Sequence, residues 1–276
     1  MLNEVEFPRQ TQIGRCDLAS VQRVAAMLDL EPGEIAEGGH LPRGWHFFLL
    51  GGTTRRSSLR EDGFPGFGAP MPDFGMKRLL LGGRTISYFG DIEIGAQLER
   101  ESRLESYVEK TTKSGPIIIA KFEHQLRPLH SPAPILIETQ TYILLNNHAP
   151  DHAVEPQVQS FRTAHQKTVT PDPTMLFQYS ALGFNSHRIH LDRDYARDAE
   201  GFPDLIINGG LTTLLLTEFL RSDLGIVPGE IKAKHTAPLF CDRPVVLTAD
   251  RIDDCWHLKA RDNHGAVALE LEVSAK

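Results

Sequence analysis

Apolar and polar residues alternate along the chain in two successive blocks with the same order of elements. Alternating and β-branched segments at 79–89, 97–109, 116–125 and 133–146 predict four strands, and those at 230–237, 243–252, 255–262 and 265–274 predict four more. An amphipathic helix at 17–29 precedes the first set, as does an apolar segment at 41–52 where the first block's central helix is expected. A helix followed by several consecutive strands, twice over, predicts an α+β repeat.

The most apolar helix of the chain is predicted at 210–222. Its leucines and Phe219 occupy every side, which is typical of a buried helix. Gly209 and Gly210 stand at its start, where backbone N–H groups have no carbonyl partner within the helix. Such N–H groups, at the positive end of the helix dipole, suit a carbonyl oxygen that acquires negative charge.

A cluster of polar side chains lies shortly before this helix. Asn185, His187, Arg188, His190 and Asp192 fall within eight positions, between apolar residues. Histidine transfers protons near neutral pH, so this cluster beside a potential oxyanion hole predicts an acid–base enzyme. The two histidines are three positions apart, but zinc sites need a third strong ligand in a defined frame, and we predict no metal site.

The stretch Phe-Asn-Ser-His-Arg-Ile-His-Leu-Asp at 184–192, with Gly-Phe-Pro-Asp-Leu-Ile-Ile-Asn-Gly-Gly-Leu at 201–211, resembles the MaoC-like (R-hydratase-like) acyl-thioester dehydratases. It is most similar to the two-repeat branch that includes mesaconyl-C4-CoA and itaconyl-CoA hydratases. The resemblance implies a double hotdog fold, in which each repeat is an antiparallel sheet wrapped around a central helix. It also implies hydration or dehydration of a CoA or carrier-protein thioester.

The resemblance assigns roles to three residues of the second block. His190 takes the position of the family's catalytic histidine, and Asn185 takes that of an aspartate in the single-repeat enzymes. Because asparagine cannot act as a base, Asn185 would orient the water or the imidazole, and proton transfer would fall to His190. Gly209 matches a family glycine whose backbone N–H forms the oxyanion hole. A lone histidine near an apolar helix is more often a core residue, but the surrounding motif favours catalysis for His190.

His187 and Arg188 each have two alternative interpretations. His187 would either contact the substrate or satisfy buried backbone groups. Arg188 would either grip a substrate carboxylate or phosphate in a bidentate manner or pair with Asp192.

Further substrate contacts are expected from Tyr179, Trp45 and Arg84. Tyr179 is expected to pack at the end of a strand, with its hydroxyl available to the substrate. Trp45 and Arg84 lie in first-half segments, Leu-Pro-x-Gly-Trp and Gly-Gly-Arg, that resemble the two-repeat hydratases. The first half lacks the histidine motif, so it is expected to shape the acyl pocket. Its Gly- and Pro-rich stretch 53–75 predicts a long loop of the kind that is usually functional or mobile.

A length of 276 residues accommodates two domains with cores of their own. The polar, proline-containing stretch 147–173 predicts a linker. We therefore divide the chain into an N-terminal repeat at 1–146, this linker, and a C-terminal, catalytic repeat at 174–276.

Composition limits the classes of binding partner and the cellular compartment that we expect for the protein. A net charge of −7 argues against nucleic-acid binding, and no apolar run approaches the length of a membrane span. The three scattered cysteines, without a CxxC pair or a signal peptide, predict a cytoplasmic protein. The expected partner is a small acyl-CoA substrate, with no cofactor beyond the coenzyme A it carries, and a homo-oligomer stays open.

Within the branch, the resemblance favours hydration of C5 dicarboxyl thioesters, which converts itaconyl-CoA or mesaconyl-C4-CoA to citramalyl-CoA. One alternative is a 3-hydroxyacyl-thioester dehydratase of fatty-acid synthesis, which predicts a longer apolar tunnel. Another is a non-catalytic hotdog subunit that binds acyl-CoA, and a thioesterase is a third.

Overall fold

The computed structural model describes residues 7–31, 33, 35–113, 115–146 and 160–275. Over these residues the chain forms three α-helices, α1 (Leu18–Met27), α2 (Pro173–Leu182) and α3 (Gly209–Leu224). The described strands are β1 (Arg9–Arg15), β2 (Arg78–Tyr88), β3 (Gln97–Thr112), β4 (Gly115–Pro128), β5 (Leu136–Leu145), β6 (His165–Val169), β7 (Pro228–His235), β8 (Val245–Ile252), β9 (Cys255–Arg261) and β10 (Val267–Ala275). The eight predicted strands and the predicted helices at 17–29 and 210–222 are confirmed.

The ten described strands form one antiparallel sheet in the order β1-β3-β4-β5-β2-β7-β10-β9-β8-β6. Read outward from the junction of β2 and β7, the two halves have the same topology. In each half, the first strand of the block of four (β2 or β7) pairs with the fourth (β5 or β10). The third and then the second strand of the block follow, and an earlier strand (β1 or β6) forms the edge. The repeat predicted from element order is therefore present in the strand pairing.

The two halves join through β2 and β7, whose register places Gly83 opposite Lys234 and Ser87 opposite Glu230. The sheet is thus continuous across the junction, and residues from both halves lie side by side there. This junction positions the cavity described below.

Helix α3 is the buried centre of the second half. Its residues from Leu211 to Leu220 are buried, and it packs against β7, β8, β9 and β10. The helix ends at Gly225, whose left-handed φ of 70° suits a glycine C-cap. Burial on all sides explains why the segment is apolar around its whole circumference.

Among its described residues, the first half has no equivalent long helix. The segment 41–52, predicted to hold it, contains a 3-10 helix at His46–Leu50. Gly44, just before it, has a φ of 100°, and a Cβ there would collide with the side chain of Thr217 on α3. The first-half segment therefore packs closely against α3, with the glycine-rich ends 44 and 51–52 limiting its helical length.

Three elements were not predicted. Strands β1 and β6 are mostly exposed edge strands without apolar alternation, and β6 lies inside the predicted linker. Residues 147–159 of that linker lie outside the described residues, so the domain division stays a prediction. Helix α2 carries Tyr179, which is therefore on a helix and not at a strand end as expected. Asp172 caps α2 by accepting from Met175 N at 2.7 Å.

Candidate active site

A cavity of about 430 Å³ lies between the two halves of the sheet and the start of α3. The first half contributes β2, the 3-10 segment, the loop around Phe64 and the buried polar side chains of β4 and β5. The second half contributes the end of α2, the stretch 185–190, the start of α3 and the loop after β7. One chain therefore supplies every described wall of this cavity.

The cavity gathers six of the eight predicted site residues. They are Arg84, Tyr179, Asn185, His187, His190 and Gly209.

The imidazole of His190 is held in one orientation. Its Nδ1 lies 2.7 Å from the carbonyl oxygen of Ile206. Because a carbonyl only accepts, Nδ1 carries the proton, and the neutral ring keeps a lone pair on Nε2. Ile206 N in turn donates to Ile189 O at 3.0 Å, so the two chain segments are tied in both directions. Within the described residues Nε2 has no hydrogen-bond partner.

Burial keeps both motif histidines neutral. It lowers the pKa of His190 to about 3, with a further contribution from neighbouring His187. It also lowers the pKa of His187 to about 3, and Arg60 adds to this effect. The rings of the two histidines meet edge to face with centroids 5.6 Å apart. At neutral pH, His190 is therefore an uncharged base.

The long first-half loop is bound to the histidine motif. Ser186 Oγ donates to Gly63 O at 2.7 Å, and Arg188 N donates to Asp62 O at 2.8 Å. The Asp62 carboxylate also lies 3.7 Å from His187 Nε2. This part of the loop predicted at 53–75 thus covers the motif.

The start of α3 opens into the cavity. Gly209 and Gly210 both line it, and among the described residues neither N–H has a hydrogen-bond partner. A Cβ on Gly209 would lie 2.9 Å from the His235 ring, and one on Gly210 would collide with the Tyr179 hydroxyl. Glycine at both positions leaves the N–H groups accessible.

We expect Gly210→Ala to destabilise the protein by about 1–3 kcal/mol through overpacking, although alanine normally favours a helix. The cause is the collision with the Tyr179 hydroxyl. In urea unfolding, Gly210→Ala/Tyr179→Phe should therefore lose less stability than the sum of the single variants. Gly14→Ala, where a Cβ would meet nothing within 4 Å, is the control. Additive effects would show that the collision is not the cause.

Asn185 lines the cavity and also holds the motif backbone. Its Oδ1 accepts from His187 N at 3.1 Å. The side chain is thus fixed by a local turn, next to the two histidines.

Two predicted substrate contacts lie away from the cavity. Arg188 is exposed and pairs with Asp192 at 2.7 Å, which is the alternative left open by its sequence. Trp45 is buried in the core, and its Nε1 donates to Glu218 of α3 at 3.1 Å. The predicted substrate contact of Trp45 is therefore corrected to a packing role.

Sequence reasoning missed several polar residues of the cavity, His235 and Asn208 among them. His235 ends β7, and its Nε2 is buried without a hydrogen-bond partner among the described residues. Asn208 precedes α3; its Nδ2 donates to Ser180 Oγ at 3.3 Å, and its buried Oδ1 has no described partner. Asn208 belongs to the motif at 201–211 and could have been predicted from it. His235 is 26 positions from Gly209, and only the fold brings the two together.

Comparisons with known proteins identify relatives of this chain. The family model for hydroxyacyl-thioester dehydratase type 2 matches residues 44–241. The mesaconyl-C(4)-CoA hydratase of Chloroflexus aurantiacus is 33% identical over 260 residues, 93% of this chain and 92% of that protein. A MaoC-like dehydratase from Phytophthora capsici has a TM-score of 0.74 at 14% identity, covering 99% of this chain and 96% of that one. A Mycobacterium tuberculosis protein described as a double hotdog has a TM-score of 0.59 at 12% identity, covering 98% and 96%.

The chain is thus an enzyme of the hydratase and dehydratase class with an α+β double hotdog fold. It belongs to the hydroxyacyl-thioester dehydratase type 2 family. The resemblance to MaoC-like dehydratases and the predicted fold class are confirmed. In the described part of the chain, no helix is long and apolar enough to cross a bilayer.

Proposed function

We propose that the enzyme hydrates short C5 dicarboxyl-CoA thioesters, mesaconyl-C4-CoA or itaconyl-CoA, to citramalyl-CoA. The observation that carries this proposal is that His190, with its available Nε2, shares one cavity with the N–H groups that open α3, which have no partner among the described residues. The similarity to a mesaconyl-C(4)-CoA hydratase over 93% of the chain supports the substrate class.

In the proposed reaction, His190 Nε2 takes a proton from water as the water oxygen bonds to the β-carbon of the enoyl thioester. The electrons of the double bond move toward the thioester oxygen. This oxygen accepts hydrogen bonds from the N–H groups of Gly209 and Gly210. His190 then returns its proton to the α-carbon, so that the elements of one water molecule are added. Asn185 orients the water or the ring.

The low pKa of His190 is compatible with this role. The imidazolium and the negatively charged enolate form together, and each partly offsets the charge of the other in a cavity of low dielectric. The ring faces a backbone carbonyl at Nδ1 and not a carboxylate. Among the described residues no carboxylate contacts the ring, so the imidazolium gains its counter-charge as the enolate forms.

Itaconyl-CoA requires an earlier step, because its double bond is β,γ to the thioester. We propose that His190 removes an α-proton to give a dienolate, which is reprotonated at the γ-carbon to mesaconyl-C4-CoA and then hydrated. Mesaconyl-C4-CoA should therefore be a substrate whenever itaconyl-CoA is. An enzyme that hydrates itaconyl-CoA and never mesaconyl-C4-CoA would contradict this scheme.

A panel of thioesters followed by mass spectrometry tests the function. Purified enzyme with mesaconyl-C4-CoA, itaconyl-CoA, crotonyl-CoA or a longer enoyl-CoA should show the gain of one water, and citramalyl-CoA should show its loss. The highest kcat/KM is expected for a C5 dicarboxyl thioester. Release of free thiol would indicate a thioesterase, and thermal stabilisation by CoA thioesters without turnover would indicate a binding subunit.

The family model favours a second candidate, dehydration of linear 3-hydroxyacyl thioesters. That substrate needs a long apolar tunnel. The described cavity is instead bordered by Arg84, His124, Gln140 and Tyr142 in the first half. A kcat/KM that rises with the length of the acyl chain would favour this candidate over ours.

A further inference from the structure

The guanidinium of Arg84 is buried at the cavity with few partners. Its side chain is 9% exposed, and its nearest ion pair, with Glu138, spans 3.4 Å. Among the described residues it makes no hydrogen bond, and its Nε is buried without a partner. A buried guanidinium has five donors, and leaving them unbonded is costly. The arrangement therefore suits an anion that is supplied from outside the protein.

Arg78 provides an internal comparison, because it is also on β2 and also lines the cavity. Its Nε lies 2.5 Å from a carboxylate oxygen of Glu200, and its Nη2 donates to the Glu200 carbonyl at 3.1 Å. Arg78 thus has its counter-ion in direct contact. Arg84 differs from Arg78 because its guanidinium makes no such contact among the described residues and is open toward the cavity.

Glu138 is the ion-pair partner of Arg84 but does not satisfy its hydrogen-bond donors. The carboxylate is fully buried and accepts hydrogen bonds from His46 and from Gln140, both at 2.7 Å. Burial favours the neutral acid, but Arg84 and the His46 hydrogen bond outweigh it and lower the pKa of Glu138 to about 2. Glu138 is therefore an ionised support behind Arg84, already committed to other donors.

The position of Arg84 fits the chemistry of a dicarboxyl thioester. Its Nη2 lies 3.3 Å from the place that a Cβ on Gly210 would occupy, next to the N–H groups that open α3. In mesaconyl-C4-CoA the free carboxylate is on the β-carbon, three bonds from the thioester carbonyl carbon. A thioester oxygen at Gly209 would bring that carboxylate close to the guanidinium.

We propose that Arg84 binds the free carboxylate of the substrate and thereby selects dicarboxyl over monocarboxyl thioesters. This inference rests on the proposed function. The planar guanidinium forms a bidentate pair with the carboxylate, while Glu138 fixes its orientation. The same residue explains how a hydratase pocket discriminates against a plain enoyl chain of equal length.

Binding of two unreactive thioesters tests the inference without turnover. Succinyl-CoA and butyryl-CoA have acyl chains of equal length, and only the first carries a carboxylate. Wild-type enzyme should bind succinyl-CoA at least about 10-fold more tightly, by calorimetry or competition. Arg84→Gln should remove this preference. Arg84→Lys keeps the positive charge but cannot form the bidentate pair, so it should reduce the preference. Arg103→Gln, a β3 arginine paired with Glu123 outside the cavity, should keep it.

Turnover gives a second readout. Arg84→Gln should lower the ratio of kcat/KM for mesaconyl-C4-CoA to that for crotonyl-CoA by about 100-fold or more. If the variant does not fold, Arg84→Gln/Glu138→Gln removes both buried charges together and should show the same change. Equal losses on both thioesters, or a wild type without preference for succinyl-CoA, would overturn the role of Arg84. A wild type that binds succinyl-CoA selectively but hydrates no enoyl-CoA would instead overturn the proposed function.

Discussion

Replacing His190 by asparagine is expected to lower kcat for hydration by roughly 10²–10⁴-fold while the protein stays folded. Asparagine can still donate a hydrogen bond to Ile206 O, in place of the Nδ1–H that does so at 2.7 Å. It lacks the Nε2 lone pair that takes the proton from water. Stopped assays with mesaconyl-C4-CoA, with folding checked by circular dichroism, measure the effect.

His130→Asn is the matched control for this variant. His130 is exposed and has a positive φ of 69°, a conformation that asparagine tolerates. Its kcat should equal that of the wild type. His190→Ala should lose activity as well, but also stability, because it leaves the Ile206 carbonyl without its donor. If His190→Asn keeps the wild-type rate, His190 is not the base.

Acidification below pH 6.5 is expected to destabilise the protein by several kcal/mol before its carboxylates begin to titrate. Burial lowers the pKa of His124 to about 4 and those of His187, His190 and His235 to about 3. Between these values and the ordinary value of 6.5, the unfolded chain binds more protons than the folded one. Stability therefore falls with pH, by up to about 1.4 kcal/mol per pH unit for each histidine. The pKa of Glu138, lowered to about 2, adds its own loss only below about pH 4.5.

Urea unfolding between pH 7.5 and 4.5 measures this dependence. His235→Asn should reduce the slope by about one proton, so that the variant gains stability relative to the wild type as the pH falls. Gly14→Ala, which changes no titratable group, should leave the slope unchanged and is the control. A free energy of unfolding that is flat from pH 6.5 to 5 would contradict burial of the four histidines as neutral rings.

The sequence predicted those elements whose local pattern and tertiary role agree. Helix α3 is apolar on all sides because the strands of the second half and the first-half segment around Gly44 together bury it, and that composition is visible without coordinates. Strands β1 and β6 were not predicted because they are exposed edge strands, and their mostly polar sequences show no alternation of apolar and polar residues. The first-half segment forms only a short 3-10 helix at His46–Leu50, although its apolar composition predicted a longer helix, because Gly44, with its φ of 100°, and Gly51 bound it.

The site was predictable to the extent that it is contiguous in sequence. His190, Asn185 and Gly209 belong to one motif, and the fold brings all three to the cavity. Arg188 shows the limit of proximity in sequence: two positions from His190, it points to the surface and pairs with Asp192. His235 reaches the cavity only through the pairing of β7 with its neighbours, which no local pattern encodes.

A crystal structure of His190→Asn with unreacted mesaconyl-C4-CoA tests the central proposal, that His190 and the start of α3 act on one thioester. We predict the thioester oxygen at roughly 2.7–3.1 Å from Gly209 N, with the β-carbon facing the side chain at position 190. An acyl group bound away from the α3 amides, or with its β-carbon out of reach of position 190, would contradict the proposed mechanism.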